Sequence, residues 1–401
     1  MKIFRFLAVA FVAMFGLVAC NNDCEHEFIE VDHSADLVGT WTCLEADHAA
    51  AYIFNADGTV STTGVDSEGV WEDVKGTYSV VNNKITMEFE SGRIINGSFD
   101  IIPGQAISIV GEKGRHTYQY CKEDLSDEIV GMWVWVDSNG KGSENMGIQT
   151  FNEDGTALFT GGYEEIDYKV NNEFTYKVVG DLLIQHVPND NPPYMVRRLT
   201  YTTNGIAFGD IMTTYSPTTN YTASWLRIKQ SLDLTGKTYD YSSAYVSNAK
   251  GKDEDFSMLG HTFNIANIKG HNFDMLFRSE LFCVDLNANS ITQRFRANGR
   301  DIEIEIPITV DGNKVTLDLS AENPAYRKVD MYMFQDQDNT QLHMYMHTND
   351  FINYFANMEL YNLLASGEIA ADNTMAIEKV YTDMEARVES INVSFVFKAR
   401  K

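Results

Sequence analysis

His343 and His347 stand four positions apart around Tyr345, the interval at which two imidazoles on one helical turn can share a zinc ion. Their segment alternates like a strand, however, which would set the rings about 13 Å apart and too far for one metal. Met331, Met333, Met344 and Met346 offer thioethers of the kind that hold copper(I), but on paired strands they read as a pliable apolar wall. Asp57, Asp154 and Asp311 each precede glycine, and Asp336-x-Asp338-Asn339 opens like a calcium loop. The sixth and twelfth places of that loop hold Gln341 and His347 in place of glycine and glutamate, so hairpin turns explain all four sites. The sequence carries no Gly-x-Ser-x-Gly elbow, and Gly236-Lys237-Thr238 lacks the upstream glycine of a phosphate loop. No carboxylate pair stands out as acid and base in so acidic a chain. The expectation is therefore a protein that is not an enzyme and needs no cofactor or metal.

The chemistry that remains is adhesive. Phe351, Tyr354, Phe355, Met358, Tyr361 and Leu364 recur at helical spacing behind Asn349 or Asp350, and Gly367 ends the run. Such a helix could lie across a barrel mouth as a lid over a hydrophobic small ligand, with His343, Tyr345 and Tyr361 as polar groups at the rim. The plainer reading is that it packs on the outside of the barrel or fills its interior.

The elements that must position these groups form a repeated pattern. Leu37-Val38-Gly39-Thr40-Trp41 is followed by Asn55-Ala56-Asp57-Gly58-Thr59 and then Gly76-Thr77-Tyr78. Ile129-Val130-Gly131-Met132-Trp133 is followed in the same order by Asn152-Glu153-Asp154-Gly155-Thr156 and Phe174-Thr175-Tyr176. Asn-x-Asp-Gly-Thr between apolar or β-branched runs is a hairpin signal, so each copy reads as an antiparallel meander of about eight short strands. A third unit opens at Leu234-Thr235-Gly236-Lys237-Thr238-Tyr239, with threonine where tryptophan would stand. It continues through the Ile302 to Ile306 strand, the Val310 to Val315 hairpin, the paired Met331 to Phe334 and Leu342 to Met346 strands, two helices, and a closing strand from Ile391 to Phe397.

At the N-terminus, Lys2 and Arg5 precede an apolar run from Phe6 to Val18, which has the order of a secretory signal peptide and is short for a membrane span. The ending Leu17-Val18-Ala19-Cys20 resembles the lipobox of bacterial lipoproteins. That resemblance implies cleavage before Cys20, diacylglycerol and an N-acyl chain such as palmitate on it, and attachment to a membrane by lipid alone. Residues 21 to 36 then form a polar acidic tether. It is loosely similar to the surface-export signals of Bacteroides-group lipoproteins, which implies an outer-membrane protein on the cell surface in preference to the periplasmic face. The formal net charge of −26 becomes more negative by two once Lys2 and Arg5 leave, which disfavours nucleic acid and anionic headgroups as partners.

Gly39-Thr40-Trp41 and Gly131-Met132-Trp133, each opening a run of hairpin-linked strands, resemble the lipocalin-like or calycin-like domains of Bacteroides-group lipoproteins. The resemblance implies a mainly β protein of tandem small antiparallel β-barrels, the third carrying two added helices. It also implies a tryptophan closing one barrel end beneath a basic side chain, Arg227 over Trp133 and, less convincingly, Lys122 in the first copy. In a closed barrel the first and last strands are neighbours, so a disulfide between Cys43 and Cys121 is one expectation and two separate buried thiols the other.

The domain organisation read here is a signal peptide at 1–19, a lipidated tether at 20–36, barrels at 37–125 and 126–231, and a helix-bearing barrel at 232–401. The function expected is binding of a hydrophobic small molecule in the third barrel by Phe351, Tyr354, Phe355, Met358, Tyr361, His343 and Tyr345. The alternative is a surface module that recognises a protein or glycan on its outer faces, with filled barrels and with Trp71, Trp135, Tyr163 and Tyr194 exposed together.

Overall fold

The computed structural model describes residues 33–45, 48–65, 71–112, 114–136, 147–160, 171–188, 193–202, 211–216, 221–258, 261–268, 270–280, 282–297, 300–321 and 323–401. Cys20 and the segment read as a signal peptide from the sequence lie outside these residues. Three closed eight-stranded antiparallel barrels follow one another along the chain. The first consists of β1 (Gly39–Leu44), β2 (Ala49–Phe54), β3 (Thr59–Val65), β4 (Trp71–Val81), β5 (Lys84–Phe89), β6 (Ile94–Ile102), β7 (Ala106–Gly111) and β8 (Gly114–Cys121). The second consists of β9 (Gly131–Val136), β10 (Ile148–Phe151), β11 (Thr156–Thr160), β12 (Asn171–Val179), β13 (Leu182–His186), β14 (Tyr194–Thr202), β15 (Ile211–Ser216) and β16 (Tyr221–Ile228).

The third barrel begins with β17 (Lys237–Gly251), after which a small hairpin, β18 (Phe256–Met258) and β19 (His261–Phe263), leads into helix α1 (Gly270–Ser279). The barrel continues through β20 (Cys283–Leu286), β21 (Ser290–Ala297), β22 (Arg300–Asp311), β23 (Lys314–Leu317), β24 (Val329–Gln335) and β25 (Gln341–Met346). Helices α2 (Thr348–Ser366) and α3 (Thr374–Arg387) precede β26 (Val388–Ala399), which closes against β17. The sequence reading found α2 and α3 but missed α1, whose Phe273, Leu276 and Phe277 occupy one face at helical spacing.

Each opening motif does the same work. Trp41 Nε1 donates to the Leu37 carbonyl at 2.7 Å and Trp133 Nε1 to the Ile129 carbonyl at 2.7 Å, so each buried indole ties the entering chain across its barrel end. The register then decides what covers the ring. Arg227 lies opposite Trp133 and holds its guanidinium 4.6 Å above it, as the resemblance implied. In the first barrel the equivalent place belongs to Tyr120, opposite Trp41 and edge-on at 5.0 Å, so Lys122 does not fill that role. In the third, Tyr239 is the buried aromatic, and its hydroxyl accepts from Gln335 Nε2 at 2.9 Å.

The Asn-x-Asp-Gly-Thr turns are near copies. Asp57 Oδ1 accepts from the Thr59 amide at 3.0 Å, and Tyr78 donates its hydroxyl to the Asn55 carbonyl at 3.0 Å. Asp154 and Tyr176 repeat both bonds at 2.9 and 2.7 Å. The Thr59 and Thr156 hydroxyls, each donating to the same aspartate at 2.6 Å, and then the amides hold both carboxyls below the usual range. Gly58 and Gly155 sit at φ +82° and +81°, conformations costly for any residue with a β-carbon. At Gly58 such a carbon would approach nothing closer than 3.8 Å. Gly58→Ala is therefore expected to lower stability by about 1 kcal/mol through the backbone alone, read as a shifted urea midpoint with unchanged slope.

Both junctions between neighbouring barrels have an apolar centre. Between the first and second, Leu44, Ala51 and Ile53 pack against Val179 and Leu182, bordered by Thr42 donating to Asp181 at 2.7 Å, Lys177 pairing with Asp73 at 2.7 Å, and Trp71 stacked on Tyr194 with centroids 5.2 Å apart. Between the second and third the junction is apolar, with Val134, Leu226 and Ile228 packed against Phe334 and Tyr345.

Two expectations are corrected here. Cys43 and Cys121 remain thiols. Alternation points Cys43 inward beside Trp41, whereas Cys121, opposite Thr40, faces outward onto Gly180 of the second barrel. Two strands being neighbours does not bring together side chains on opposite faces. The exposed aromatic set is also dispersed: Trp135 stacks on Trp225 inside the second barrel, Trp71 and Tyr194 cover each other, and Tyr163 lies outside the described residues.

Candidate functional site

Helix α2 lies against the inner faces of the third barrel because almost its whole circumference is apolar. Phe351 and Phe355 are fully buried and point into a cluster of rings that also contains Phe273, Phe277 and Phe395. This cluster fills one side of the interior. On the other side, a cavity of about 570 Å³ opens between α2 and the β21–β22 pair, within the about 300–1,000 Å³ typical of small-molecule sites.

The helical stagger that sends Phe351 and Phe355 into the core turns Tyr354, Met358 and Tyr361 toward this cavity, whose strand side is formed by Phe295, Ile304 and Ile306. Glu303, Glu305, Asn323 and Asn357 also border the cavity, and Gln293, only 2% exposed, supplies its most deeply buried polar point. The Tyr354 hydroxyl donates to Gln293 Oε1 at 3.0 Å, and burial pushes that phenol well above its ordinary pKa, so it stays a donor. Gln293 Nε2 has no hydrogen-bond partner among the described residues. An orphaned buried donor of this sort is uncommon, because each such group forfeits about 1–3 kcal/mol of solvation.

The outer wall of the site is held by a clamp. Arg327, in the loop between β23 and β24, lies 4.1 Å over Tyr381 of α3 and pairs with Glu378 at 2.8 Å and Glu385 at 2.7 Å. Asn357 Nδ2 of α2 donates to the Arg327 carbonyl at 2.7 Å. The loop that carries Asn323 and Tyr326 to the cavity is thus fastened to both helices.

Of the seven residues expected to bind a ligand, Tyr354, Met358 and Tyr361 line the cavity and Phe351 and Phe355 support it from the core side. His343 and Tyr345 belong elsewhere, on the outward face of β25, and so are not rim groups. Leu342, Met344 and Met346 take the inward face with Met331 and Met333, as apolar core. Tyr345 enters the apolar junction with the second barrel, and His343 beside it is fully buried, with Nε2 3.1 Å from Gln341 Oε1. Burial pushes the imidazole down to about 4. His347 is not a strand residue; it caps α2, with Nδ1 3.3 Å from Asn392 Oδ1. The sequence reading took Ile304 and Ile306 as strand residues only and did not single out Gln293, since only barrel closure brings β21 and β22 under a helix some 50 residues further on.

No family model matches this chain, and no curated protein aligns with it. Among solved structures, it is similar to a double mutant of transferrin binding protein B from Haemophilus parasuis, at 10% identity and a TM-score of 0.23, over 88% of this chain and 66% of that one. Transferrin binding protein B of serogroup B Neisseria meningitidis gives 8% identity and a TM-score of 0.17, over 74% and 61%. This chain therefore spans about two thirds of the length of either. Scores this low do not transfer a fold, and the barrel topology rests on the strand pairing given above.

Proposed function

We propose that this protein is a lipid-anchored, outer-membrane binding protein whose third barrel holds a hydrophobic small molecule beneath α2, the anchor being Cys20 and the exposed side the cell surface. The observation that carries the reading is the Gln293 amide, a buried donor without a partner in a wall of Ile304, Ile306, Met358 and Tyr354. A ligand with an apolar body and one acceptor oxygen would bury its body there and satisfy Nε2. The net charge of −26 supports an uncharged ligand over an acidic one.

Native mass spectrometry of the protein purified from its own host is expected to show a bound mass released by organic solvent. Met358→Trp, which fills the cavity, should abolish that mass, while Gln293→Leu should reduce occupancy about tenfold. A clean unliganded mass for the parent would reject the proposal. Protease treatment of intact cells, removing the barrels if they face outward, tests the sidedness.

A further inference from the structure

The first barrel contains a second cavity, of about 670 Å³, at the end opposite Trp41. Strand alternation turns His48 and Tyr52 of the β2 segment, Glu72 of β4, and His116 and Tyr118 of β8 toward the barrel axis. Arg93, in the turn between β5 and β6, joins them. The six side chains form one connected array. His48 Nε2 lies 2.9 Å from the Tyr118 hydroxyl, which bonds to that of Tyr52; Tyr52 also bonds to Thr62 and Arg93, and Arg93 pairs with Glu72. His116 stacks on His48 with centroids 4.0 Å apart, and its Nδ1 lies 3.0 Å from Glu45 Oε2. Between these groups the wall is apolar, formed by Ala50, Val74 and Ile109.

The geometry points to a binding site for a short neutral saccharide in the first barrel, distinct in place and chemistry from the third-barrel cavity and independent of it. Three observations select this ligand class. First, the polar groups are of both kinds and closely spaced, so their remaining donor and acceptor capacity matches a molecule whose every hydroxyl both donates and accepts, and a lipid chain would use none of it. Burial raises both tyrosine hydroxyls above their ordinary pKa, which keeps them as donors. Second, Glu72 balances Arg93, and Asp73 and Glu112 add negative charge to the lining, so the cavity repels an acid as the whole chain does. Third, His48, His116, Tyr52 and Tyr118 all line the cavity, so aromatic edges border a volume suited to a small ligand.

The test is an array of neutral and uronic-acid-containing mono- to trisaccharides probed with the whole protein, followed by calorimetric titration of the sugars retained. Neutral sugars are expected to bind and acidic analogues to bind at least tenfold more weakly. Tyr118→Phe, which removes one hydroxyl without changing shape, should weaken binding tenfold or more while far-ultraviolet circular dichroism shows the fold retained. Glu72→Gln should weaken it as well, while Met358→Trp in the third barrel should leave it intact. Retention of no sugar, preference for acidic sugars, or binding indifferent to both first-barrel variants would overturn the inference.

Discussion

Phe355→Ala is expected to lower the stability of the third barrel by about 3–5 kcal/mol, the range for deleting a fully buried phenylalanine. The ring has no exposed surface and meets Phe273, Phe277, Phe351 and Tyr354 at centroid distances of 4.4 to 6.0 Å. Those neighbours come from α1 and α2, so no single element can move to fill the space left behind. Urea unfolding followed by near-ultraviolet circular dichroism would show the loss as a lower midpoint with the slope retained. Met358→Ala offers the comparison, since Met358 borders open volume and its truncation enlarges a cavity already present. A loss below about 1 kcal/mol for Phe355→Ala would mean that this ring borders adjustable space, and the division of α2 into a core face and a cavity face would fall.

Acidification should destabilise the junction between the second and third barrels through His343. The imidazole is neutral and fully buried in the folded protein with its pKa near 4, whereas the unfolded chain titrates near 6.5. Above pH 6.5 both states are neutral and His343 contributes no pH dependence. Between pH 6.5 and 4 the unfolded chain takes up a proton that the folded chain refuses. Stability therefore falls as pH falls, by about 1.4 kcal/mol per unit and about 3 kcal/mol across the window. In His343→Gln the amide can still bond to Gln341, yet nothing titrates. The urea midpoint of the parent should thus drop more steeply than that of the variant from pH 6.5 downward, and the two profiles should run parallel above it. Parallel profiles throughout would show that the imidazole reaches water or a proton acceptor when charged.

How much of this was legible in the sequence depended on how far each signal had to reach. Gly39-Thr40-Trp41 and Asn55 to Thr59 announced themselves because a tryptophan tied four residues back and an Asp-Gly turn are complete within a few positions. The α2 stripe and its Gly367 terminus, at φ +76°, were legible for the same reason. Register across barrel closure was not. It decided that Tyr120 and not Lys122 meets Trp41, and that Cys121 points away from Cys43. Burial of an outer face was equally hidden, because alternation along β25 separates His343 and Tyr345 from Met344 without saying that another barrel covers the first pair. The first-barrel array lay furthest from view. His48 and Tyr118 are 70 residues apart, and nothing in either neighbourhood predicts the other.

The thiol of Cys121 turns one of these corrections into an instrument. Among the described cysteines, Cys43 and Cys283 are buried, whereas Cys121 retains some surface and lies 2.8 Å from where a β-carbon on Gly180 would stand. Burial raises its pKa, which lowers the thiolate fraction available to an alkylating reagent. A bulky maleimide on this sulfur would crowd Gly180 of the second barrel, so labelling is expected to be slower in the folded protein than in urea and faster in a variant such as Asp181→Ala that removes a bond between the two barrels. The labelling rate at Cys121 then reads the tightness of that contact from a residue of the native sequence.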